Sequence, residues 1–476
     1  MVSLVGLLTV NLPTINLPFC SKLEDKYKVL LIFVLFTMNN GFAWLMFEPV
    51  AGWLEENFAG FSESQLALLG SWQPAVFIVM CIPIMKLVAR YDGLRMAIRL
   101  GATAEIVGAL LKCLGAVSRK SNAGRVFLHM GQIFSGVGSP VATGCVSALS
   151  ATWFEPAERT RATAAAVMFN SVGNALCYLF VPSMTNLFSF TGVAVYEVAM
   201  GIVSVFFVWF ILPQEHEKKD GEEEEKGTKE AVELSPANSV QESIAHDPDL
   251  VVPEHKEHEH ASLASQVKNL FKMPSVVCLL LVYSWLCGGF SAWISLFAAT
   301  YNKFYTESFI GIMCFFGMTC YVCGGLVSSI LVDLYFTRQM KYVIFFCISV
   351  TTLANLIFIA CTPNDKGYFL WDLGKGFVVF STAMCGFWNG AAAPLFFELV
   401  AEISFPIEES VSGICISIFE NAGALIFYQV VSRVFSGQSM SVAYSFGMTV
   451  AVALVALVKQ RYNRTYHNYI TGNAGE

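Results

Sequence analysis

VLLIFVLFTMNNGFAWLMFEPVA, residues 29–51, decides the fold. It is a continuous apolar run of the length that crosses a bilayer, and polar residues enter it only in its second half. Runs of similar length recur near Leu66–Ala89, Met96–Val117, Val126–Phe154, Ala162–Phe188 and Val193–Leu212, then pause. They resume near Ser275–Tyr301, Ser308–Leu334, Tyr342–Cys361, Gly376–Val400, Val411–Phe435 and Val442–Val458. In hydrocarbon each backbone N–H and C=O needs an internal partner. Segments of about twenty residues meet that need as helices, not as barrel strands. The expectation is an all-α membrane protein with twelve transmembrane helices in two six-helix bundles.

Composition agrees. Hydrophobic residues make up 55% of the 476 and charged residues 14%, far below the roughly one quarter charged in soluble proteins. The net charge of −7 comes largely from the central segment and from acids such as Glu55, Glu56 and Glu63, and points to no partner. No basic patch interleaved with aromatics supports nucleic-acid binding. The 14 cysteines are scattered without the spacing of a disulfide framework or metal site, and the Cys320/Cys323 pair lies within a span. Neither a nucleophile triad nor a phosphate-binding glycine loop is visible, so the chain reads as no enzyme and calls for no cofactor or metal.

The organisation expected is an N-terminal arm (1–28), a first bundle (29–212), a disordered linker (213–273), a second bundle (274–460) and a tail (461–476). Pro13 and Pro18 interrupt an apolar but non-basic start, which argues against a cleaved signal peptide. Lys and Arg concentrate at alternate loop ends: Lys22, Lys26 and Lys28; Lys86, Arg90 and Arg95; Arg159 and Arg161; Arg338 and Lys341; Lys459, Arg461 and Arg464. By the positive-inside rule those ends, both termini and the linker face the cytoplasm. The sequon Asn463–Thr465 then stays unglycosylated. The linker holds GEEEEKG and five of the seven histidines, His216, His246, His255, His258 and His260. It has too few apolar residues to fold alone and reads as a tether, with HKEHEH as a candidate metal or haem ligand set.

An ionisable side chain facing lipid is costly, so one inside a span is expected to face the bundle interior. In the first span, Trp44 and Glu48 are one turn apart, suited to a cation that meets an indole face and a countercharge. Glu420, with Asn421, interrupts the eleventh span near its middle, too deep to reach water by snorkelling, and is the proton-coupling candidate. His129 in the fourth span is a second candidate for the proton. Asn170 and Ser171 in the fifth span offer hydrogen bonds, and Trp293, beyond Gly288 and Gly289, supplies an aromatic wall. Glu105 and Lys112 in the third span either balance each other or find partners on neighbouring helices. Asp333 and Arg338, and the one-turn pair Glu398 and Glu402, suit gates that form in one access state and break in the other. The substrate these residues describe is a small solute carrying a positive charge or an amine, moved by a monomer embedded in a lipid bilayer.

Several runs also carry a family likeness. PLFFELVAEISFP (394–406) with Glu409, Ser412 and Gly413, the first-span NNGFAW, the loop ATWFEPAERTRATA (151–164) and Gly324–Asp333 resemble solute carrier family 49, the feline leukaemia virus subgroup C receptor-related group of major facilitators. HMGQIFSGVGSP, GFSAW and FFEL are more similar to its disrupted in renal carcinoma 2 branch, which implies a lysosomal membrane and proton-coupled pyridoxine transport. The receptor branch implies choline and ethanolamine transport, or haem. The resemblance places Trp44 where the receptor branch has a tryptophan facing choline and Glu420 where it has a ligand-facing glutamine. That branch's fifth-span glutamine is Ser171 here and its seventh-span tyrosine is Ser291. Glu48 stands where the family usually has glycine. In LVARYDGLR (87–95), Arg90 replaces the acid of the facilitator motif. The expected function is therefore alternating-access transport of a small amine or vitamin-like solute of pyridoxine or choline/ethanolamine type, proton-coupled, in the plasma or endolysosomal membrane. The alternative is a haem exporter or importer, or a metal-responsive carrier, using the His-rich linker.

Overall fold

The structure, a computed structural model, describes residues 23–154, 156–214, 263–332 and 339–464. The His-rich run and the expected gate residues Asp333 and Arg338 lie outside the described residues. Among those described, every regular element is helical. The first half contains α1 (Asp25–Leu45), a 3₁₀ turn (Glu48–Val50), α2 (Ala51–Asn57), α3 (Glu63–Val88), α4 (Gly93–Val117), α5 (Asn122–Gly136), α6 (Ser139–Gly144), α7 (Val146–Trp153) and α8 (Pro156–Phe210). The second contains α9 (Leu263–Leu270), α10 (Pro274–Tyr283), a π-helical turn (Ser284–Gly289), α11 (Phe290–Ser295), α12 (Phe297–Tyr301), α13 (Glu307–Leu331), α14 (Met340–Cys361), α15 (Lys375–Ser404), α16 (Glu409–Ile426), a second π-helical turn (Phe427–Val431), α17 (Ser432–Val434) and α18 (Gln438–Leu457).

Among the described residues, nine helices are long and apolar enough to cross a membrane, and three further passages are consistent with the expected twelve. The first comes from α8, whose 55 residues would measure about 80 Å if straight. It instead reverses at Ser189, where φ is 62° and ψ 169°. The leg before Ser189 runs parallel to α1, with Lys26 beside Glu158 and Thr37 beside Asn170. The leg after it returns antiparallel to α4, from Arg119–Ser189 to Thr103–Trp209. The second is the span read from sequence near Val126–Phe154, which is broken here into α5, α6 and α7, with Pro140 at a helix start where no N–H partner is needed. The third is α15. α9 falls within the segment expected to be disordered, because Leu270 is buried and Phe271 packs on Phe419 of α16.

The outer surface is apolar, with Val79, Leu187, Phe446 and Leu457 all more than 70% exposed, whereas Glu105, Lys112, Glu197 and Asn389 are buried. This inverted distribution fits lipid as the outer solvent. Among the described residues, two hydrogen bonds join the halves at the end away from the described termini, called the far end below. The Trp53 N–H donates to Glu307 Oε1 (2.9 Å), and Gln429 Nε2 donates to Ser71 Oγ (2.6 Å).

Candidate functional site

Between the halves lies a cavity of about 90 Å³. The first half contributes Asn40 and Trp44 from α1, Gln73 and Phe77 from α3, Ser139 and Thr143 from α6, and Asn170, Ser171 and Asn174 from α8. The second contributes Gly288, Phe290, Ser291, Met318, Tyr321, Glu420, Asn421 and Ala424. Five of the expected binding residues, Trp44, Asn170, Ser171, Glu420 and Asn421, therefore meet here. Among the described residues, Glu420 is the one charged side chain in this lining. Gln73, Thr143, Phe77, Met318 and Tyr321 were missed from sequence. A glutamine next to Pro74 inside an apolar run was the one available signal, since the others are ordinary span residues.

The walls are held by polar groups buried behind them. Trp44 Nε1 donates to the Gly70 carbonyl (3.2 Å), and its own carbonyl accepts from Gln132 Nε2 (2.9 Å). Asn40 Nδ2 donates to Glu105 Oε1 (2.7 Å), while Asn40 Oδ1 accepts from Gln73 Nε2 (3.1 Å) and Ser139 Oγ (3.4 Å). Asn39 Nδ2 reaches the other Glu105 oxygen (3.1 Å). Glu105 and Lys112 thus take partners on neighbouring helices: Lys112 forms a buried ion pair with Glu197 and also donates to Gln132 Oε1 (3.4 Å). On the first half Asn170 Nδ2 donates to the Thr37 carbonyl (3.0 Å), and on the second Asn421 Nδ2 donates to the Ser417 carbonyl (2.8 Å).

Three expected site residues stand elsewhere. Glu48 lies four residues beyond Trp44 in the layer that shuts the far end. It is 1% exposed, and neither carboxylate oxygen has a hydrogen-bond partner among the described residues. Trp293 is sealed inside the second half, stacked on Tyr444 (centroids 5.0 Å apart, planes at 11°), with Nε1 donating to Ser441 Oγ (2.9 Å). Tyr321 and Phe290, stacked on each other, line the cavity instead. His129 bridges α5 and α3: Nδ1 accepts from Trp72 Nε1 (3.0 Å), which leaves Nε2 to donate to Gln65 Oε1 (2.8 Å). Both its nitrogens are engaged away from the cavity.

At the end bearing the termini, Glu398 and Glu402 do meet an arginine. Arg464 donates to Glu398 Oε2 (2.7 Å), Glu402 Oε1 (3.1 Å) and Glu409 Oε1, tying the end of α15 to the start of α16. Partial burial opposes the charge, but the field of Glu398 and hydrogen bonds to Glu398 and Glu409 carry the guanidinium above its ordinary range. Among the described residues no group of three or more His, Cys, Asp or Glu side chains could hold a metal ion.

The model of the Major Facilitator Superfamily matches residues 30–427. The choline/ethanolamine transporter FLVCR1 of Felis catus is 25% identical over 466 residues, covering 94% of this chain and 75% of that protein. The solute carrier family 49 member 4 homolog of Xenopus tropicalis is 32% identical over 183 residues, 37% of this chain and 38% of that one. Both likenesses agree with the solute carrier family 49 runs read from sequence. Among solved structures, a bacterial homolog of the human lysosomal transporter Spinster, inward-facing and occupied, superposes with a TM-score of 0.60 at 13% identity, covering 90% of this chain and 96% of that one. The D-xylose-proton symporter superposes with a TM-score of 0.63 at 11% identity, covering 92% and 99%.

Proposed function

Because the chain belongs to the Major Facilitator Superfamily and is a multi-pass membrane transporter of small organic solutes, we propose that its cargo is a small amine of choline or ethanolamine type and that Glu420 couples its passage to a proton. The observation that carries this reading is the cavity lining: one carboxylate, Glu420 of the second half, and the indole of Trp44 of the first, together with amides and hydroxyls. An aromatic face and a countercharge recognise an alkylammonium group, and the amides accept or donate to its hydroxyl. Choline/ethanolamine transport by FLVCR1 of Felis catus supports the same cargo class. A pyridoxine-like ring also carries an ionisable nitrogen and hydroxyls, and enters as the competing cargo.

The two halves rock about the cavity and expose it to either side in turn. Glu420 either neutralises the bound cation or holds a proton when the site is empty, so cargo and proton compete for one carboxylate. Arg464 with Glu398 and Glu402, and Asp333 with Arg338, serve as gates at the end bearing the termini. The clustering of Lys and Arg at that end supports its facing the cytoplasm. The protein works as a monomer in the plasma or endolysosomal membrane.

The test is uptake of labelled choline, with pyridoxine in parallel, into proteoliposomes at two pH values on each side. Wild-type protein is expected to take up choline with a rate that depends on pH, and Glu420→Gln to lose at least about tenfold in uptake together with the pH dependence. Uptake of pyridoxine but not choline would replace the cargo. A pH dependence unchanged in Glu420→Gln would remove Glu420 from proton coupling.

A further inference from the structure

Glu48 lies outside the cavity, yet it is placed where the halves separate. Gly70 of α3 is wedged between the two halves. A side-chain carbon added there would lie 2.8 Å from Glu48 Oε1 and 2.7 Å from Tyr428 Cε1. Glu48 belongs to the first half and Tyr428 to the second, where its hydroxyl is hydrogen-bonded to Ser295 Oγ (2.6 Å). The cross-half bonds Ser71–Gln429 and Trp53–Glu307 lie in the same far-end closure. The titratable groups that bear on Glu48 are Cys177 and Tyr178 of α8, Cys314 of α13 and Tyr428. None of these is a cation, and among the described residues neither Glu48 oxygen accepts a hydrogen bond.

An ionised carboxylate in that position has lost its water and gained nothing in exchange, which is a large cost. The protonated carboxyl avoids most of it. When the far end opens, water reaches the layer and the ionised form is stable again. We propose that Glu48 is a proton-binding lock on the far-end gate: it holds a proton while that end is shut and releases it to the far side when the halves part there. The sign follows from linkage. Acid favours the closed far end, and raising the pH shifts the equilibrium toward opening. This lock rests on the alternating-access reading but not on the identity of the cargo, and it is separate from the carboxylate in the cavity.

The experiment uses full-length protein in lipid nanodiscs without substrate. Spin labels are introduced as unnatural amino acids at Glu56 and Lys303, exposed positions on opposite halves of the far end. Distances are read by pulsed electron paramagnetic resonance at about pH 5.5 and about pH 8.5. The wild type is expected to show mainly the short, closed distance in acid and to lose closed-to-open ratio by about tenfold or more in base. Glu48→Gln, a mimic of the protonated group, is expected to keep the short distance at both pH values. Glu48→Asp, which stays ionisable, keeps a response even if the glutamine variant folds poorly. A wild-type distance that does not change with pH overturns the proposal. So does a response that survives in Glu48→Gln, or one abolished by Glu420→Gln instead. Because no cargo is present, loss of the choline reading leaves this result standing.

Discussion

Lys112 has a fully buried ammonium, and the protein spends three acceptors on it: Glu197, Gln132 Oε1 and the Ala43 carbonyl. The same Gln132 holds the backbone of Trp44, so a charge pair remote from the cavity fixes the aromatic wall. Lys112→Met leaves Glu197 buried with its partner gone and is expected to lower stability by about 3–5 kcal/mol. Lys112→Met with Glu197→Gln removes both charges and should recover most of that loss, as thermal unfolding in detergent will show. Trp44→Ala is expected to raise the choline KM by about 5- to 30-fold, the equivalent of a desolvated cation–π contact of about 1–2 kcal/mol, with a smaller effect on maximal rate. Uptake kinetics decide it, and an unchanged KM would take Trp44 out of cargo binding. Trp44, Glu420 and Asn421 were legible in sequence because polar or aromatic groups deep in an apolar run have to face something other than lipid. Glu48, Trp293 and His129 met that criterion equally and point elsewhere. Sequence gives depth along a helix, but which neighbour a residue faces depends on helix rotation, which other chain segments set.

Two close contacts at the crossing of the seventh passage and α16 place cavity residues, and both depend on missing side chains. A carbon added to Gly288 would fall 2.0 Å from the Glu420 carbonyl, and one added to Gly423 would fall 2.0 Å from that of Ser284. Gly288 lies in the π-helical turn that widens the seventh passage beside the site, a common position for such turns. Gly288→Ala must therefore push α16, and Glu420 with it, away from the seventh passage. The expected cost is about 1–3 kcal/mol in stability, with most transport lost. Gly376→Ala, where an added carbon meets nothing within 4 Å, is the matched control and should transport normally. Equal behaviour of the two variants in uptake would mean that the crossing tolerates expansion. Span positions were readable from apolar length, and so was the turn between Phe188 and Val193, where the chain reverses at Ser189; the breaks around Gly138 and Cys145 were not. At both breaks the apolar run continues through the turn, because lipid and protein interior select the same residues.

The first and seventh passages are equivalent under the repeat of the two halves, and so are the fifth and eleventh. Gly41 and Gly173 press on the carbonyls of Asn170 and Met38, as Gly288 and Gly423 press on those of Glu420 and Ser284. Counting from those glycines pairs Trp44 with Ser291, Asn170 with Glu420 and Ser171 with Asn421, and all six line the cavity. The scaffold is thus repeated while the chemistry is not: the first half presents an indole and an amide where the second presents a hydroxyl and a carboxylate. A site between such halves keeps both chemistries only while neither half rotates away, so closure of one end has to accompany opening of the other. The far end is shut here by Ser71–Gln429 and Trp53–Glu307. Cross-linking cysteines at Ser71 and Gln429 with a short reducible bifunctional reagent should therefore hold it shut and abolish uptake, and reduction should restore it. Cargo binding in detergent should survive the cross-link, because the walls around Trp44 and Glu420 are already assembled with the far end closed. Uptake that continues at the uncross-linked rate would show that the halves need not separate at this end. Binding lost along with uptake would show that the site forms only in the other access state.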